Sequence, residues 1–274
     1  MSILFCGSKS LDLSVPKVMG ILNVTPDSFY DGGRFPDMVS RIRHVEKMVH
    51  DGASIIDIGA VSTRPGAPGV QEKDEITRIT ETLAALCPEF PGTVFSVDTY
   101  RPGVARAAVE HGAEMINDVY GGRFESTMID TVSSLNVPYV LMHMKGTPET
   151  MQLAPTYSDV VAEVTYFFEQ QLARCREQGI RQVIIDPGFG FGKDVTHNFT
   201  LLSRLDSFRS LGVPILAGLS RKSMINRVLN TSPQEALNGT TVLNTIALLK
   251  GASILRVHDV KEASEAVRLV KMAG

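Results

Sequence analysis

The sequence predicts an α/β fold, namely a (β/α)8 barrel preceded by an N-terminal β-hairpin. Eight short apolar runs are spread along the 274 residues, and each is continuous rather than alternating, which is typical of parallel strands covered on both faces. Segments with helical periodicity separate these runs. Several helical segments end at a glycine that leads directly into the next run, as expected where a left-handed glycine closes a helix.

The eight apolar runs are the predicted strands. They are residues 18–23, 54–59, 94–99, 114–118, 139–144, 183–186, 215–218 and 254–259. Eight strands alternating with about eight helices fit a barrel, a fold of roughly 250 residues. A doubly wound open sheet is the alternative. No linker or low-complexity segment divides the chain, so we expect a single domain over residues 1–274.

Residues 1–17 precede the first run and predict a hairpin extension. The sequences ILFC and LDLS are separated by four residues that begin with Gly-Ser-Lys, which is typical of a turn between two short strands. We expect this hairpin to close the N-terminal end of the barrel.

Helical periodicity is clearest in three segments. The first contains Val39, Ile42, Val45 and Met48, with Asp37 placed as its N-cap. The second contains Val161, Val164, Phe168, Leu172 and Cys175, and the third contains Leu201, Leu205, Phe208 and Leu211. The glycines expected to close helices are Gly52, Gly112, Gly179, Gly212 and Gly251.

Composition excludes several classes of function. The formal net charge is −3 and no basic block occurs, which argues against nucleic acid or an anionic membrane as the main partner. Three widely separated cysteines predict neither a disulfide framework nor a zinc site. No secretory signal pattern and no run of 18 apolar residues is present, so we expect a cytoplasmic protein.

Polar residues follow most of the predicted strands. They are Asn23, Asp57, Asp98, Thr99, Asn117, Asp118, His143, Asp186, Arg256 and His258, and the segment SRKS at 220–223 follows the seventh strand. The C-terminal ends of all strands in such a barrel meet at one mouth. Because buried carboxylates and amides need partners, their convergence predicts a polar ligand at that mouth.

The residue types indicate the chemistry of the ligand. The acceptors and amide are Asp98, Asn117 and Asp186. A carboxylate pairs well with an N–H/NH2 edge such as that of a 2-amino-4-oxo-pyrimidine ring. The cationic and donor side chains are Arg64, Lys222, Arg256 and His258, and these suit a phosphate or pyrophosphate. The mouth is therefore expected to hold a flat heterocycle deep inside and an anionic group nearer the rim.

Three loops stand out. Residues 23–35 and 59–69 are long compared with the usual ~2–6 residues of a βα loop, and each carries hydroxyls and an arginine. The GFGFG segment at 188–192 matches neither the dinucleotide fingerprint nor the P-loop. Its glycines are expected to let the backbone approach a flat ligand, with Phe189 or Phe191 packed beside it. Lys145 and Lys193 lie beyond their strands and are expected to be solvated.

Eight motifs, in this order, resemble the dihydropteroate synthase family over nearly the whole chain. They are MGILNVTPDSF, STRPG, FSVDT, INDV, LMHM, DPGFGFGK, SRKS and RVHDV. The family comprises folate-pathway transferases that are inhibited by sulfonamides. The resemblance implies a TIM barrel, usually a homodimer, that joins 6-hydroxymethyl-7,8-dihydropterin pyrophosphate to p-aminobenzoate. The products are 7,8-dihydropteroate and pyrophosphate.

The resemblance also implies roles for individual residues. The pterin is held by Asp98, Asn117, Asp186 and Lys222, with Asp57, Met142 and Phe189 beside it. Asn23 ligates the Mg²⁺ that accompanies the pyrophosphate. The pyrophosphate is gripped by Arg64, Arg256 and His258. The p-aminobenzoate pocket is formed by Phe29, Thr63, Arg64, Pro65 and Ser223.

Departure of pyrophosphate leaves a cationic methylene conjugated to the pterin, which favours an SN1-like path. Asp31 in the first long loop is expected to stabilise that cation. One departure from the family pattern is present, because Ala60 and Val61 replace the Gly and Glu that commonly precede STRPG.

Three rival readings remain open at this point. Barrel methyltransferases that use methyltetrahydrofolate and a corrinoid share the pterin pocket, but they do not need STRPG or SRKS. A non-catalytic pterin-binding subunit is favoured only by Val61. A phosphate-binding aldolase or isomerase barrel usually has a Schiff-base lysine or a catalytic glutamate at a strand end, and neither is apparent here.

Overall fold

The computed structural model describes residues 3–25, 37–61, 69–147, 150–151 and 155–273. Its strands are β1 Ile3–Cys6, β2 Lys9–Asp12, β3 Lys17–Asn23, β4 Ile55–Gly59, β5 Val94–Asp98, β6 Met115–Asp118, β7 Tyr139–Met142, β8 Val183–Asp186, β9 Leu216–Ala217 and β10 Ile254–Val257. Its α-helices are α1 Met38–His50, α2 Glu72–Glu89, α3 Pro102–Glu110, α4 Met128–Leu135, α5 Val160–Glu177, α6 Val195–Ser203, α7 Ser223–Leu229, α8 Leu237–Leu249 and α9 Val260–Ala273. Two 3-10 helices span Leu205–Leu211 and Pro233–Glu235.

Strands β3 to β10 form one parallel sheet that closes into a barrel. Its strand order is β8-β7-β6-β5-β4-β3-β10-β9, so the first barrel strand pairs with the last. A parallel bridge between Ile185 and Ile215 joins the two ends of this sheet, and the Ile185 N–H donates to the Pro214 carbonyl at 3.0 Å. The (β/α)8 prediction is therefore confirmed over the open sheet. No helix in the described part of the chain is long and apolar enough to cross a bilayer.

The N-terminal end of the barrel is filled by one apolar side chain from each barrel strand. This bottom layer consists of Met19, Ile55, Val94, Met115, Val140, Ile184, Leu216 and Ile254. The hairpin packs directly against it through Leu4, Cys6, Leu11 and Leu13. The predicted plug is thus confirmed. Its second strand begins at Lys9 rather than Leu11, because Cys6 pairs with Lys9 across a turn at Gly7.

The predicted helix signals are largely confirmed. The Asp37 carboxylate accepts from the Ser40 N–H at 2.8 Å and caps α1. The third predicted helix is instead α6 followed by a 3-10 helix, with the break at Arg204. Leu205, Phe208 and Leu211 are three residues apart, which suits the three-residue turn of a 3-10 helix. The five glycines expected to close helices all have φ between 71° and 107°.

Leu4 tests how much the hairpin contributes to stability. Its side chain is fully buried in the bottom layer, so Leu4→Ala is expected to lower the free energy of unfolding by about 2–5 kcal/mol. Phe5→Ala is the matched control, since the Phe5 ring on the same strand is 62% exposed and its loss should cost under about 1 kcal/mol. Urea denaturation of both variants measures the difference. Equal destabilisation would contradict a plug that holds the barrel together.

Candidate active site

Above the apolar bottom layer, the barrel interior becomes polar. Successive side chains of a strand alternate between its two faces, so the second interior position of each strand lies one layer up. On β4 to β6 these positions hold Asp57, Ser96 and Asn117. The Asn117 amide donates to Asp57 Oδ2 at 2.9 Å although β5 lies between their strands, so both side chains reach into the interior.

Arg256 on β10 spans this polar layer. Its Nε donates to Asp57 Oδ2 at 2.7 Å, and its Nη2 donates to Asp98 Oδ2 at 2.8 Å. Burial acts to lower the pKa of Arg256, but the two carboxylates outweigh it and hold the pKa above its ordinary value. Burial raises the pKa of Asp98, and the Arg256 charge opposes this. The guanidinium therefore compensates two carboxylates in the interior.

Two polar atoms of this layer are left without partners. Asp57 Oδ1 and Ser96 Oγ are buried and make no hydrogen bond within the parts of the chain that the structure describes. These residues face each other in the register of β4 and β5. A buried polar group without a partner is costly, so both atoms indicate a missing ligand with N–H or O–H groups. Ser96 was not predicted as a site residue; its position two residues before Asp98 was the available signal.

Asp186 and Lys222 form the other half of the site. The Gly188 N–H donates to Asp186 Oδ1 at 2.7 Å, and Lys222 Nζ donates to the Phe189 carbonyl. A Cβ at Gly218 would lie 3.7 Å from Asp186 Oδ2 and 3.8 Å from Lys222 Nζ, so this glycine leaves open space between them. Burial raises the pKa of Asp186, opposed mainly by Lys222. Burial lowers the pKa of Lys222 to about 8, opposed by Asp186.

His258 is oriented by Ser220, the first residue of the SRKS segment. The His258 backbone N–H donates to Ser220 Oγ at 3.1 Å, and the same oxygen lies 3.0 Å from Nδ1 of the imidazole. Ser220 is 6% exposed, so its hydroxyl proton needs an acceptor, which Nδ1 provides. In the tautomer whose Nδ1 accepts from Ser220, the imidazole carries its proton on Nε2, where it can donate to an anionic group.

Met142 and Phe191 provide apolar surface beside Lys222. Met142 is 3% exposed and belongs to a small buried apolar cluster. The half-buried side chain of Phe191 packs against this cluster. Lys222 Nζ lies 4.7 Å from the centroid of the Phe191 ring. The ring of Phe189, in contrast, is fully buried in the core between barrel and helices. The expectation for Phe189 is corrected accordingly: its carbonyl serves the site, and of the two rings only that of Phe191 lies beside Lys222.

Comparison with known proteins identifies the family of this chain. A profile of pterin-binding enzymes matches residues 19–258. The dihydropteroate synthase of Escherichia coli strain K12 is 47% identical over 270 residues, which cover 98% of this chain and 95% of that protein. This chain belongs to the dihydropteroate synthase family.

Solved structures of the dihydropteroate synthase family share the fold. The Yersinia pestis enzyme in complex with a sulfonamide drug is similar with a TM-score of 0.95 and 41% identity, covering 99% of this chain and 98% of that one. The Xanthomonas albilineans enzyme in complex with 7,8-dihydropteroate is similar with a TM-score of 0.88 and 36% identity, covering 100% and 98%.

Several of the residues that the dihydropteroate synthase motifs predicted lie outside the described residues. They are Phe29, Asp31, Thr63, Arg64 and Pro65. Ser223 is exposed at the first residue of α7. Ala60, where the family pattern has glycine, is buried and its carbonyl accepts from Arg78 at 3.4 Å; Val61 is half-buried.

Three polar residues at strand ends face away from the interior. Thr99 donates to Glu75 at 2.8 Å, and Asp118 accepts from the Tyr139 hydroxyl at 2.6 Å. His143 Nδ1 lies 2.9 Å from Lys193 Nζ, and Lys193 is 2% exposed rather than solvated as expected. Each of these residues directly follows an interior position along the chain, so its side chain points outward. There it forms hydrogen bonds with groups of the surrounding loops and helices.

The glycines of the GFGFG segment serve a close backbone contact. A Cβ on Gly188 would collide with the His143 carbonyl oxygen, and one on Gly192 with the Lys145 carbonyl oxygen. Both glycines also have left-handed φ values, of 70° and 64°. The close approach that Gly188 and Gly192 allow is to the backbone of residues 143–145, and the expected approach of this segment to a flat ligand stays a prediction.

Gly188 gives a direct test of that contact. Gly188→Ala is expected to cost about 2–5 kcal/mol, because left-handed strain adds to the collision with the His143 carbonyl. Gly212→Ala is the matched control, with φ of 71° but nothing within 4 Å of its Cβ, and should cost only about 1–2 kcal/mol. Thermal or urea unfolding compares the two. Equal costs would show that the collision is relieved easily.

The magnesium ion implied by the family can be tested against the oxygen atoms at the mouth. The described ranges contain no group of three or more His, Cys, Asp or Glu side chains placed to hold a metal ion. A Cβ at Gly59 would lie 3.6 Å from Asn23 Oδ1 and 3.9 Å from Asp98 Oδ2, so two oxygens flank this glycine. Mg²⁺ prefers oxygen ligands, uses few side chains and retains waters and substrate phosphates. Asn23 Oδ1 therefore fits a magnesium ion that binds together with pyrophosphate, whereas Asp98 Oδ2 already accepts from Arg256.

Proposed function

We propose that this chain condenses 6-hydroxymethyl-7,8-dihydropterin pyrophosphate with p-aminobenzoate to give 7,8-dihydropteroate and pyrophosphate. The observation that carries the proposal is the pair of unpartnered buried atoms, Asp57 Oδ1 and Ser96 Oγ, in the polar layer of a dihydropteroate synthase family barrel. Ring N–H and amino groups of a pterin would satisfy the carboxylate. The relative solved with 7,8-dihydropteroate supports the same chemistry.

The pterin would lie flat in the polar layer. Asp57, Asp98, Asn117 and Asp186 supply acceptors and an amide, and Lys222 supplies a donor. Met142 and Phe191 would pack on the faces of the ring. Because water is largely excluded here, each charge-assisted hydrogen bond to the ring is stronger than it would be in solvent.

The pyrophosphate would lie nearer the rim, beside Arg256, His258 and the predicted Arg64. If the Ser220 hydroxyl donates to Nδ1, the Nε2–H of His258 would donate to the pyrophosphate without requiring a charged imidazole. Bound Mg²⁺, held by Asn23, would neutralise charge on the leaving group as a Lewis acid. Stabilising the departing pyrophosphate favours the SN1-like path, in which the methylene cation forms before the amine attacks. The stabilisation of that cation by Asp31 stays a prediction.

p-Aminobenzoate would bind last, in a pocket that includes Phe29, Thr63, Pro65 and Ser223. Its aromatic amine is already nucleophilic and needs little activation. Sulfonamides are expected to inhibit the protein at the same place, as the drug complex of the Yersinia pestis relative suggests. Ordering of the two long loops over bound pyrophosphate would complete this pocket and predicts ordered binding.

We further propose a homodimer whose interface includes α7 to α9. Large apolar side chains are exposed on these helices; they are Val228, Leu229, Val242, Leu249, Leu269 and Met272. Apolar surface of this kind is typical of homodimer interfaces. Residues 1–274 would act as one domain per protomer, since the hairpin shares its core with the barrel. The cytoplasmic location expected from the sequence stays a prediction.

Pyrophosphate release tests the function directly. Purified protein with Mg²⁺ and the pterin pyrophosphate should release pyrophosphate and form 7,8-dihydropteroate only when p-aminobenzoate is added. Complementation of a folate-auxotrophic strain provides the independent readout. Tight pterin binding without release would instead favour the non-catalytic subunit, and methyl transfer from methyltetrahydrofolate would favour the corrinoid enzyme.

Deprotonation of Lys222 is expected to produce the alkaline limb of the pH profile of kcat/KM. Its pKa is lowered to about 8, so the ammonium is present below that pH and is lost above it. kcat/KM for the pterin pyrophosphate should therefore fall about tenfold per pH unit above pH about 8. Lys222→Arg, which stays charged, should have a lower plateau but no such limb. A wild-type profile that is flat to pH 9.5 would contradict this role.

A further inference from the structure

Lys193 is a buried lysine with an unusual set of partners. Its side chain is 2% exposed, and its Nζ lies 2.9 Å from His143 Nδ1, 3.3 Å from the His143 carbonyl, and 3.0 Å from the carbonyls of Gly188 and Phe191. Burial lowers the pKa of Lys193, opposed by the nearby Asp186 carboxylate, and burial also lowers the pKa of His143. A neutral His143 accepts at Nδ1, so all the contacts of Nζ are to acceptors.

These acceptors belong to two segments of the chain. One is the end of β7 at His143, and the other is the glycine segment at 188–191. At Gly188 the two segments approach each other backbone to backbone, because a side chain on Gly188 would collide with the His143 carbonyl oxygen. The Lys193 ammonium is thus a single group that joins both segments through several hydrogen bonds.

The glycine segment in turn carries three features of the candidate active site. The Gly188 N–H donates to Asp186, the Phe189 carbonyl accepts from Lys222, and the Phe191 ring lies 4.7 Å from Lys222 Nζ. Each of these contacts depends on where the backbone of the segment lies. None of them involves Lys193 directly.

We propose that Lys193 is a positioning residue for the pterin-binding half of the active site. Its ammonium holds the segment 188–191 against His143, so that Asp186, Lys222 and the Phe191 ring are already arranged when the pterin arrives. This inference rests on the proposed function, because it assigns the residue to the same pterin site.

Charge provides a second link between Lys193 and the site. The charged groups that act on Asp186 are Lys222, Arg256 and Lys193, and all three lower the pKa of this buried carboxylate. Removing the Lys193 charge should raise that pKa. The ionised form of Asp186 is the one that accepts from a pterin. In a variant without the Lys193 charge, the acidic limb of the pterin affinity would therefore lie at a higher pH.

Four variants separate positioning from stability. Lys193→Met removes hydrogen bonds and charge, Lys193→Gln keeps a donor without the charge, and Lys193→Arg keeps the charge. Lys145→Met is the matched control, because Lys145 is 43% exposed and pairs with Glu163 on α5. Steady-state kinetics over pH 5–8 and the thermal midpoint are measured for each.

We expect Lys193→Met to raise KM for the pterin pyrophosphate at least tenfold, with a smaller change in kcat, and to move the acidic limb to higher pH. Lys193→Gln should move the limb in the same direction, and Lys193→Arg should keep it near the wild-type position. Lys145→Met should leave KM and the limb unchanged, whatever its thermal midpoint.

Wild-type KM and an unmoved limb in Lys193→Met would overturn the proposal. If that variant does not fold, the same two quantities in Lys193→Gln decide the question in the same way. An equal rise of KM in Lys145→Met would also overturn it. If the wild type binds 6-hydroxymethylpterin but releases no pyrophosphate, the proposed function fails, and the pH dependence of pterin binding in the same variants still decides the role of Lys193.

Discussion

Replacing Asp186 by asparagine is expected to lower kcat/KM for the pterin pyrophosphate by roughly 10²- to 10⁴-fold. The carboxylate opposes the burial that lowers the pKa of Lys222, so its loss leaves the buried lysine with only the weaker interaction with Asp98. A carboxylate that accepts two hydrogen bonds from the pterin contributes about 1.5–3 kcal/mol through each, and each 1.36 kcal/mol is about tenfold in kcat/KM. The asparagine amide also presents a donor where the pterin needs an acceptor.

Steady-state kinetics and pterin binding measure the effect of Asp186→Asn. Asp206→Asn is the control, because Asp206 is 45% exposed and pairs with Lys250 on the surface. That variant should remain within about twofold of wild type. An Asp186→Asn protein that kept kcat/KM within threefold would remove Asp186 from the pterin site.

Arg256→Met is expected to damage both stability and activity. It leaves Asp57 and Asp98 buried without their shared cation, which should cost about 3–5 kcal/mol of folding free energy. kcat/KM should fall more than about 10²-fold, because a cation for the pyrophosphate is lost as well. Denaturant unfolding and pyrophosphate release measure the two losses separately.

A double variant isolates the effect on stability, since Asp98 is itself assigned to the pterin and its replacement cannot restore activity. Arg256→Met with Asp98→Asn removes one of the stranded carboxylates, so it should recover part of the stability while activity stays lost. Lys250→Met, which breaks an exposed ion pair, is the control and should change stability by under about 0.5 kcal/mol. No recovery of stability would mean that the stranded Asp98 carboxylate is not what destabilises Arg256→Met.

The barrel could be predicted because each of its strands corresponds to a separate apolar run in the sequence. All eight runs form strands, and β8 has the predicted bounds at Val183–Asp186. The ends differ by one or two residues elsewhere, as at β9, which is reduced to Leu216–Ala217. Local propensity does not determine such ends, since the last ladder bonds depend on neighbouring strands.

It was harder to predict from the sequence alone which polar residues at the strand ends face the barrel interior. Both faces of each strand are apolar, so the alternation that sends Asp98 inward and Thr99 outward is hidden in a continuous run. The anchoring of Lys193 and the pairing of Arg256 with two carboxylates depend on contacts between distant segments. No spacing within the sequence reports such contacts. Ser96 was missed as a site residue for the same reason, whereas Phe191 had been named only as an alternative to Phe189.

The hairpin closes the N-terminal end of the barrel. Leu4 and Leu11 close its lower end, so every molecule that reaches Asp57 must come and go through the mouth. A pyrophosphate lying between Arg256 and the rim would then stand in the way of whatever is bound beneath it. If pyrophosphate lies nearer the rim as proposed, we expect it to leave before 7,8-dihydropteroate, and accumulated pyrophosphate should slow the release of that product.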